Sequence, residues 1–193
     1  MDSRIDPFST IHKAVRRLLF LRAMELGATD FEDEGELRTA VEDTWFAMTL
    51  LKEHAEHEDQ VTFAAVIAKD AMLGLEAAAQ HAALEATTHE LGFLLDQLSE
   101  ADPAQRSRLG SRLRSRWNAF VTQQLEHLAF EEDCLSPVLW RGYTDAELAT
   151  MMARIQGSVP PERMLIWRTL LLPSIDRQER ARLQAAQMRR DAA

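Results

Sequence analysis

The dipeptide Asp6-Pro7 recurs as Asp102-Pro103, and this punctuation narrows the choice of fold more than any other feature of the chain. An aspartate accepts from the free N–H groups of a helix start, and a proline without an N–H suits the first turn, so each pair predicts a helix N-terminus. Gly27 predicts the end of the first helix. Thr29 with Glu32 has the spacing of a capping box and predicts a second helix that starts near residues 30 to 35 and runs through WFAMTLLK into EHAEHED at 53–59. The stretch DQVTFAAVIAK reads as a connection with a short helical turn. A third helix is expected from about Asp70 to Ser99, and a fourth from Pro103 to about Ser136, where Pro137 bends or stops it. Only seven Gly, six Pro and one Tyr occur, and the β-branched and aromatic enrichment of strands is missing. The expectation is an all-α fold, an up-down four-helix bundle.

Further helices are expected after the fourth, starting at Thr144 with Glu147 and at Asp176 with Glu179, with Val159-Pro160-Pro161 breaking the chain between them. The chain of 193 residues suits one main core. It divides into a bundle at 1–140 and a C-terminal helical extension at 141–193. Within the extension, MLIWRTLLL at 164–172 is too apolar to lie bare in water. It is expected to pack on the bundle or to join two subunits as a homodimer.

A net charge of -9 argues against nucleic acid, whose phosphates require clustered Lys and Arg. The Arg runs at 106–116 and 177–190 are interrupted by acids or apolar residues and read as solvated faces. No apolar stretch approaches the roughly 18 residues that span a bilayer, so no membrane partner is expected. MDSRIDPFST lacks the basic end and hydrophobic region of a secretion signal, which points to the cytoplasm. Cys134 is the sole cysteine, which excludes an internal disulfide and a cysteine-based zinc site; it reads as a small half-buried hydrophobe.

The histidines carry the chemistry. Of six, three have Glu four residues later: His54 with Glu58, His81 with Glu85, and His127 with Glu131. On a helix such pairs share a face and can converge on one ion. Each pair falls on a different expected long helix, and His12 supplies the fourth, on a face it shares with Val15 and Leu19. A lone pair of this kind is usually a surface salt bridge. Four inward clusters at similar depth can instead enclose two metal ions, with carboxylates between them. Ferritin-type diiron proteins need ExxH on two helices, and no histidine here has Glu three positions before it. HExxH, a Gly-rich phosphate loop and a GxSxG elbow are also absent.

The stretches IHKAVRRLL, HAEHEDQVTF, HAALEATTHEL and HLAFEEDCLSPVL together resemble the hemerythrin-like, or HHE cation-binding, domains over roughly residues 8 to 140. The resemblance implies a left-handed four-helix bundle around two iron ions, a non-heme diiron centre with an oxo or hydroxo bridge. It implies His12 and His54 as terminal ligands of one iron, His81, Glu85 and His127 as those of the other, and Glu58 and Glu131 as bridging carboxylates. Glu85 stands where oxygen-carrying members usually have a second His, and Glu132 competes with Glu131 for the bridging role. His57 and His89 fall off the inward stripe, with His89 an alternative ligand beside Glu85. The implied function is reaction with O2, peroxide or NO, redox-active or catalase- or oxidase-like, and not reversible oxygen carriage. The alternatives are an iron, O2 or NO sensor or store without turnover, and a metal-free interaction bundle.

Overall fold

The structure is a computed structural model that describes residues 4–191. Those residues contain helices and no strand. Helix α1 spans Ser9–Ala28 and α2 Glu34–His57. The chain then continues without interruption through a π-helical segment, Glu58–Phe63, into the short α3, Ala64–Ile67. Helix α4 spans Ala71–Ser99 and α5 Pro103–Phe130, the latter again continuing through a π-helical segment, Glu131–Leu135, into α6, Ser136–Gly142. Then come α7, Asp145–Ser158, α8, Pro161–Leu171, a 3-10 turn, Leu172–Ser174, and α9, Arg177–Asp191. No helix of the described residues is long and apolar enough to cross a membrane.

Several ends follow the sequence chemistry. Thr144 and Glu147 form a reciprocal capping box at α7. Asp176 accepts from the N–H groups of Gln178 and Glu179 at α9, while Glu179 accepts from Asp176 N. Asp70 caps α4. Three starts differ from expectation. Helix α5 begins at Pro103 as expected, but Asp102 makes no side-chain cap hydrogen bond. Asp6 does accept from Phe8 N and Ser9 N, but the helix begins only at Ser9, so Pro7 precedes it. At α2 the cap is Asp33, which accepts from Glu36 N, whereas Thr29 closes α1 by donating to Glu25 O. An aspartate one position before the helix satisfies the same N–H groups, and Glu36 reaches back to Asp30 N instead.

The larger corrections lie at residues 59–69 and at Pro137. At both places the helix widens by a π-turn and goes on, to Ile67 in the first and to Gly142 in the second, so that only residues 68–70 connect to α4. Five positions separate Glu58 from Phe63, and in a regular α-helix they would point about 140° apart. The wider turn keeps both buried. The 3.6-residue stripe therefore slips at Glu58, and the sequence beyond it no longer reads as the same helix. Pro137 falls in the first turn of α6, directly after the second π-segment, where a missing N–H is tolerated.

Helix α1 packs on α2 and α5, and α4 packs on α2 and α5. The interior has two apolar clusters. The larger contains Val15, Leu19, Leu50, Leu91, Leu113 and Trp117; the smaller contains Phe8, Phe63, Ala77, Leu135, Leu139 and Leu148. On each of α1, α2, α4 and α5 the sequence passes from one cluster to the other through a histidine or glutamate: His12, then His54 and Glu58, then His81, then His127 and Glu131. A polar layer thus separates the two clusters. Helix α8 packs along α1, with Trp167 joining the large cluster and Ile166, Leu170 and Leu171 half-buried against it. The apolar run 164–172 is covered within this chain, apart from Leu165, which stays exposed.

Candidate metal centre

His12 and Glu131 are fully buried, and Glu58 and His127 nearly so. Burying this many ionisable groups in one layer is expensive unless each finds a partner. Their contacts have a consistent polarity. The outward nitrogens of three histidines are each held by an acceptor: His12 Nδ1 by Glu132 Oε1 at 2.9 Å, His81 Nδ1 by Asp59 Oδ1 at 2.9 Å, and His127 Nδ1 by Gln80 Oε1 at 3.0 Å. An Nδ1–H that donates outward leaves Nε2 to face the layer, which is how metal-binding imidazoles are commonly oriented.

The Nε2 atoms converge on the two carboxylates. His12 Nε2 lies 3.3 Å from Glu58 Oε1 and 3.2 Å from Glu131 Oε2. His54 Nε2 is 3.2 Å and His81 Nε2 3.7 Å from Glu58, on different oxygens, and His127 Nε2 is 3.4 Å from Glu131 Oε1. Close as they are, most of these atoms are not aligned for hydrogen bonding. His54 Nε2, Glu58 Oε2, His127 Nε2 and both oxygens of Glu131 are buried without a hydrogen-bond partner. Native interiors rarely leave such atoms unpaired. Nitrogen and oxygen lone pairs gathered around common points are what a cation needs, so the donor set fits a metal ion.

Two overlapping groups have ligand atoms all within 4.8 Å of one another: Glu58, His81, His127 and Glu131, and His12, His54 and Glu58. Glu58 belongs to both. Six of the seven sequence-derived residues are thereby brought together. Glu85 is not. It is exposed on the wall of a neighbouring cleft, because α4 turns Leu84, three residues after His81, into the core. His89 lines the same cleft, exposed, and His57 is half-buried outside both groups. Glu131 lies between His12 and His127, whereas Glu132 lies on the far side of His12 and is also gripped by Arg16 at 2.7 and 2.9 Å.

The electrostatics match. Burial, and then repulsion from His12, push the His54 pKa down to about 3, so its imidazole is neutral. Burial, and then His127, lower His81 as well. Burial opposes the charged form of His12 too, yet Glu131, Glu132 and Glu58 outweigh it and raise its pKa well above 6.5. Burial, and then repulsion from Glu131, push Glu58 up to about 8. Glu131 goes down to about 2 despite its burial, held by His12 and His127. In the metal-free protein a proton on His12 therefore occupies the place between two carboxylates that a cation could take.

Asp59 and Glu132 each orient a histidine, Glu132 being offered by the sequence only as a competing bridging ligand. Gln80 was missed. It adjoins His81 in sequence but holds His127 on the next helix, a relation visible only in packing. The two π-segments begin at Glu58 and Glu131 themselves, and such wide turns occur often at functional sites.

The centre opens to one side. A cleft of 960 Å³ between α2 and α4 is floored by His54, Glu58, His81 and His127. Set beside known proteins, the chain matches no family model and no curated protein.

Proposed function

We propose that this chain is a hemerythrin-like, non-heme diiron protein that reacts with O2, peroxide or NO. The observation that carries the reading is the set of buried, unpaired Nε2 and carboxylate atoms between two apolar clusters, with three of the imidazoles oriented from behind. Helices α1, α2, α4 and α5 contact one another in a closed ring, which supports an up-down four-helix bundle. His12 and His54 would serve one ion and His81 and His127 the other, with Glu58 and Glu131 shared. Two irons bound there would supply one-electron redox chemistry and open positions for a small oxidant.

The chain's own residues do the rest. Asp59, Gln80 and Glu132 fix the imidazoles. The apolar clusters exclude bulk water, and the cleft admits a ligand on the side of His54 and His81. Glu85, outside the gathered six, contributes no ligand in this arrangement. Two imidazoles and the two carboxylates would hold each ion and would leave positions for a small oxidant. Sensing is the second reading, favoured by the Trp167 ring of α8, whose centroid lies 6.2 Å from that of His54; a change at the centre would reach the extension directly.

The test is anaerobic reconstitution with ferrous iron, followed by metal analysis and absorption spectroscopy after exposure to air. Two irons per chain, and a near-ultraviolet band lost in His54→Ala, are expected. Repeated consumption of peroxide or O2 separates turnover from sensing. No iron retained after gel filtration would overturn the reading, and retention of zinc alone would redirect it.

A further inference from the structure

The cleft above the centre is longer than a small oxidant needs. Along α2 and the start of the π-helical segment that follows it, the lining runs from Trp45 to Asp59, and along α4 from Ala78 to Asp96. Fourteen residues of helix cover about 21 Å. The two ends differ in character. Near the centre the rim carries Glu56, Asp59 and Glu85; toward the far end the walls are Met48, Gly92, Trp45 and Phe93, with Asp96 beyond. Trp45 is 40 % and Phe93 64 % exposed, an open aromatic pair that nothing in the chain covers among the described residues. Gly92 is part of this shape: a Cβ there would stand 2.8 Å from Trp45 Cη2, so the missing side chain lets the indole lie against α4.

The charge is one-sided. Lys52 is the lysine of the lining, and its ammonium is paired with Glu56. Glu85 has no ion pair among the described residues. Glu56 is paired with Lys52 and Asp59 is held by His81, which leaves Glu85 as the rim carboxylate without an ion pair; beside it an anionic head would be repelled and a cationic one attracted.

We propose that this cleft binds a single-chain molecule with a cationic head and an elongated apolar tail, a long-chain alkylammonium being the simplest example. Its head lies at Glu85, beside the centre, and its tail runs past Met48 to Trp45 and Phe93, a span of eight residues on α4 or about 12 Å. The volume of 960 Å³ is at the upper end of ordinary ligand sites. The binding depends on the cleft and not on the identity of any metal.

The experiment is calorimetric titration with dodecylammonium, dodecanoate and dodecanol, each below its aggregation limit at low salt. It is run on metal-free and on metal-loaded protein, so that failure here is distinguishable from failure of the metal reading. The expected result is dodecylammonium binding at least about 10-fold tighter than dodecanoate. Glu85→Gln should reduce that preference to about threefold or less, while Asp96→Asn keeps it. Thr88→Phe, which fills the cleft between Glu85 and Phe93, should abolish binding of all three with metal content unchanged. If that variant folds poorly, Trp45→Phe supplies a second reading: the ligand-induced change in tryptophan emission should disappear. Equal affinity for the two charged heads, full affinity in a well-folded Thr88→Phe variant, or loss of the preference in Asp96→Asn instead of Glu85→Gln would overturn the proposal.

Discussion

Raising the pH from 6.5 to 8 should destabilise the metal-free protein steeply. Two groups hold a proton in the folded state that the unfolded chain releases at lower pH. His12 is raised well above 6.5, after contacts with Glu131, Glu132 and Glu58 overcome its burial. Glu58 is raised from 4.5 to about 8 by burial and by Glu131. A raised folded pKa gives stability that is complete below the unfolded value and is lost as pH climbs through the folded one. His54 behaves oppositely: depressed to about 3, its contribution is complete above 6.5 and declines only on acidification. His81 is shifted in the same direction. The window from 6.5 to 8 therefore isolates His12 and Glu58. A proton held only in the folded state contributes about 1.4 kcal/mol per pH unit, so Glu58, half titrated at about 8, removes about 1.5–2 kcal/mol across the window, and His12 adds in the same direction. That is a large part of the total stability of an ordinary domain. The assay is urea unfolding of chelator-treated protein at half-unit intervals, with Glu58→Gln as control; the variant should lose the Glu58 share of the slope and keep the His12 share. Metal-loaded protein should show a flat or reversed dependence, because the ion replaces those protons. A metal-free protein whose unfolding free energy changes by less than about 1 kcal/mol across the window would refute the assignment of buried protons to this layer.

Three further outcomes are expected. Glu132→Ala removes the acceptor shared by His12 Nδ1 and Arg16 and should weaken metal binding about 10- to 100-fold in competition with a chromophoric chelator; an unchanged affinity would show that His12 needs no outer partner. Trp167→Ala opens the large apolar cluster where α8 joins it and should destabilise by about 3 kcal/mol in chemical unfolding, whereas a native midpoint would deny α8 a role in the core. Gly110→Ala places a Cβ 2.3 Å from the Phe31 ring and should lower stability by about 1–3 kcal/mol through overpacking; a melting temperature equal to that of the parent would mean that Phe31 moves aside freely.

The sequence alone determined the helical class, most helix ends, and six residues that meet in one polar layer. These are consequences of short-range chemistry. Capping side chains act within three residues, and His-to-Glu spacing of four fixes a shared helix face whatever the helix packs against. It could not decide which member of a stripe points to the centre. On α4 the buried positions Ala77, Leu84, Leu91 and Leu98 repeat every seven residues, and His81 sits between the first two. The residue three after His81 is therefore inside and the one four after it, Glu85, is turned to the cleft. On α5 the same spacing of four buries Glu131. Only the rotation of each helix against its neighbours distinguishes these cases. Nor could periodicity carry through Glu58 and Glu131, because a π-turn shifts the phase of every residue that follows. The pairing of Gln80 with His127, of Glu132 with His12 and of Trp167 with His54 joins residues far apart in the chain. Such contacts are set by the distance and angle between helices, which no local pattern encodes, and tertiary packing decided them.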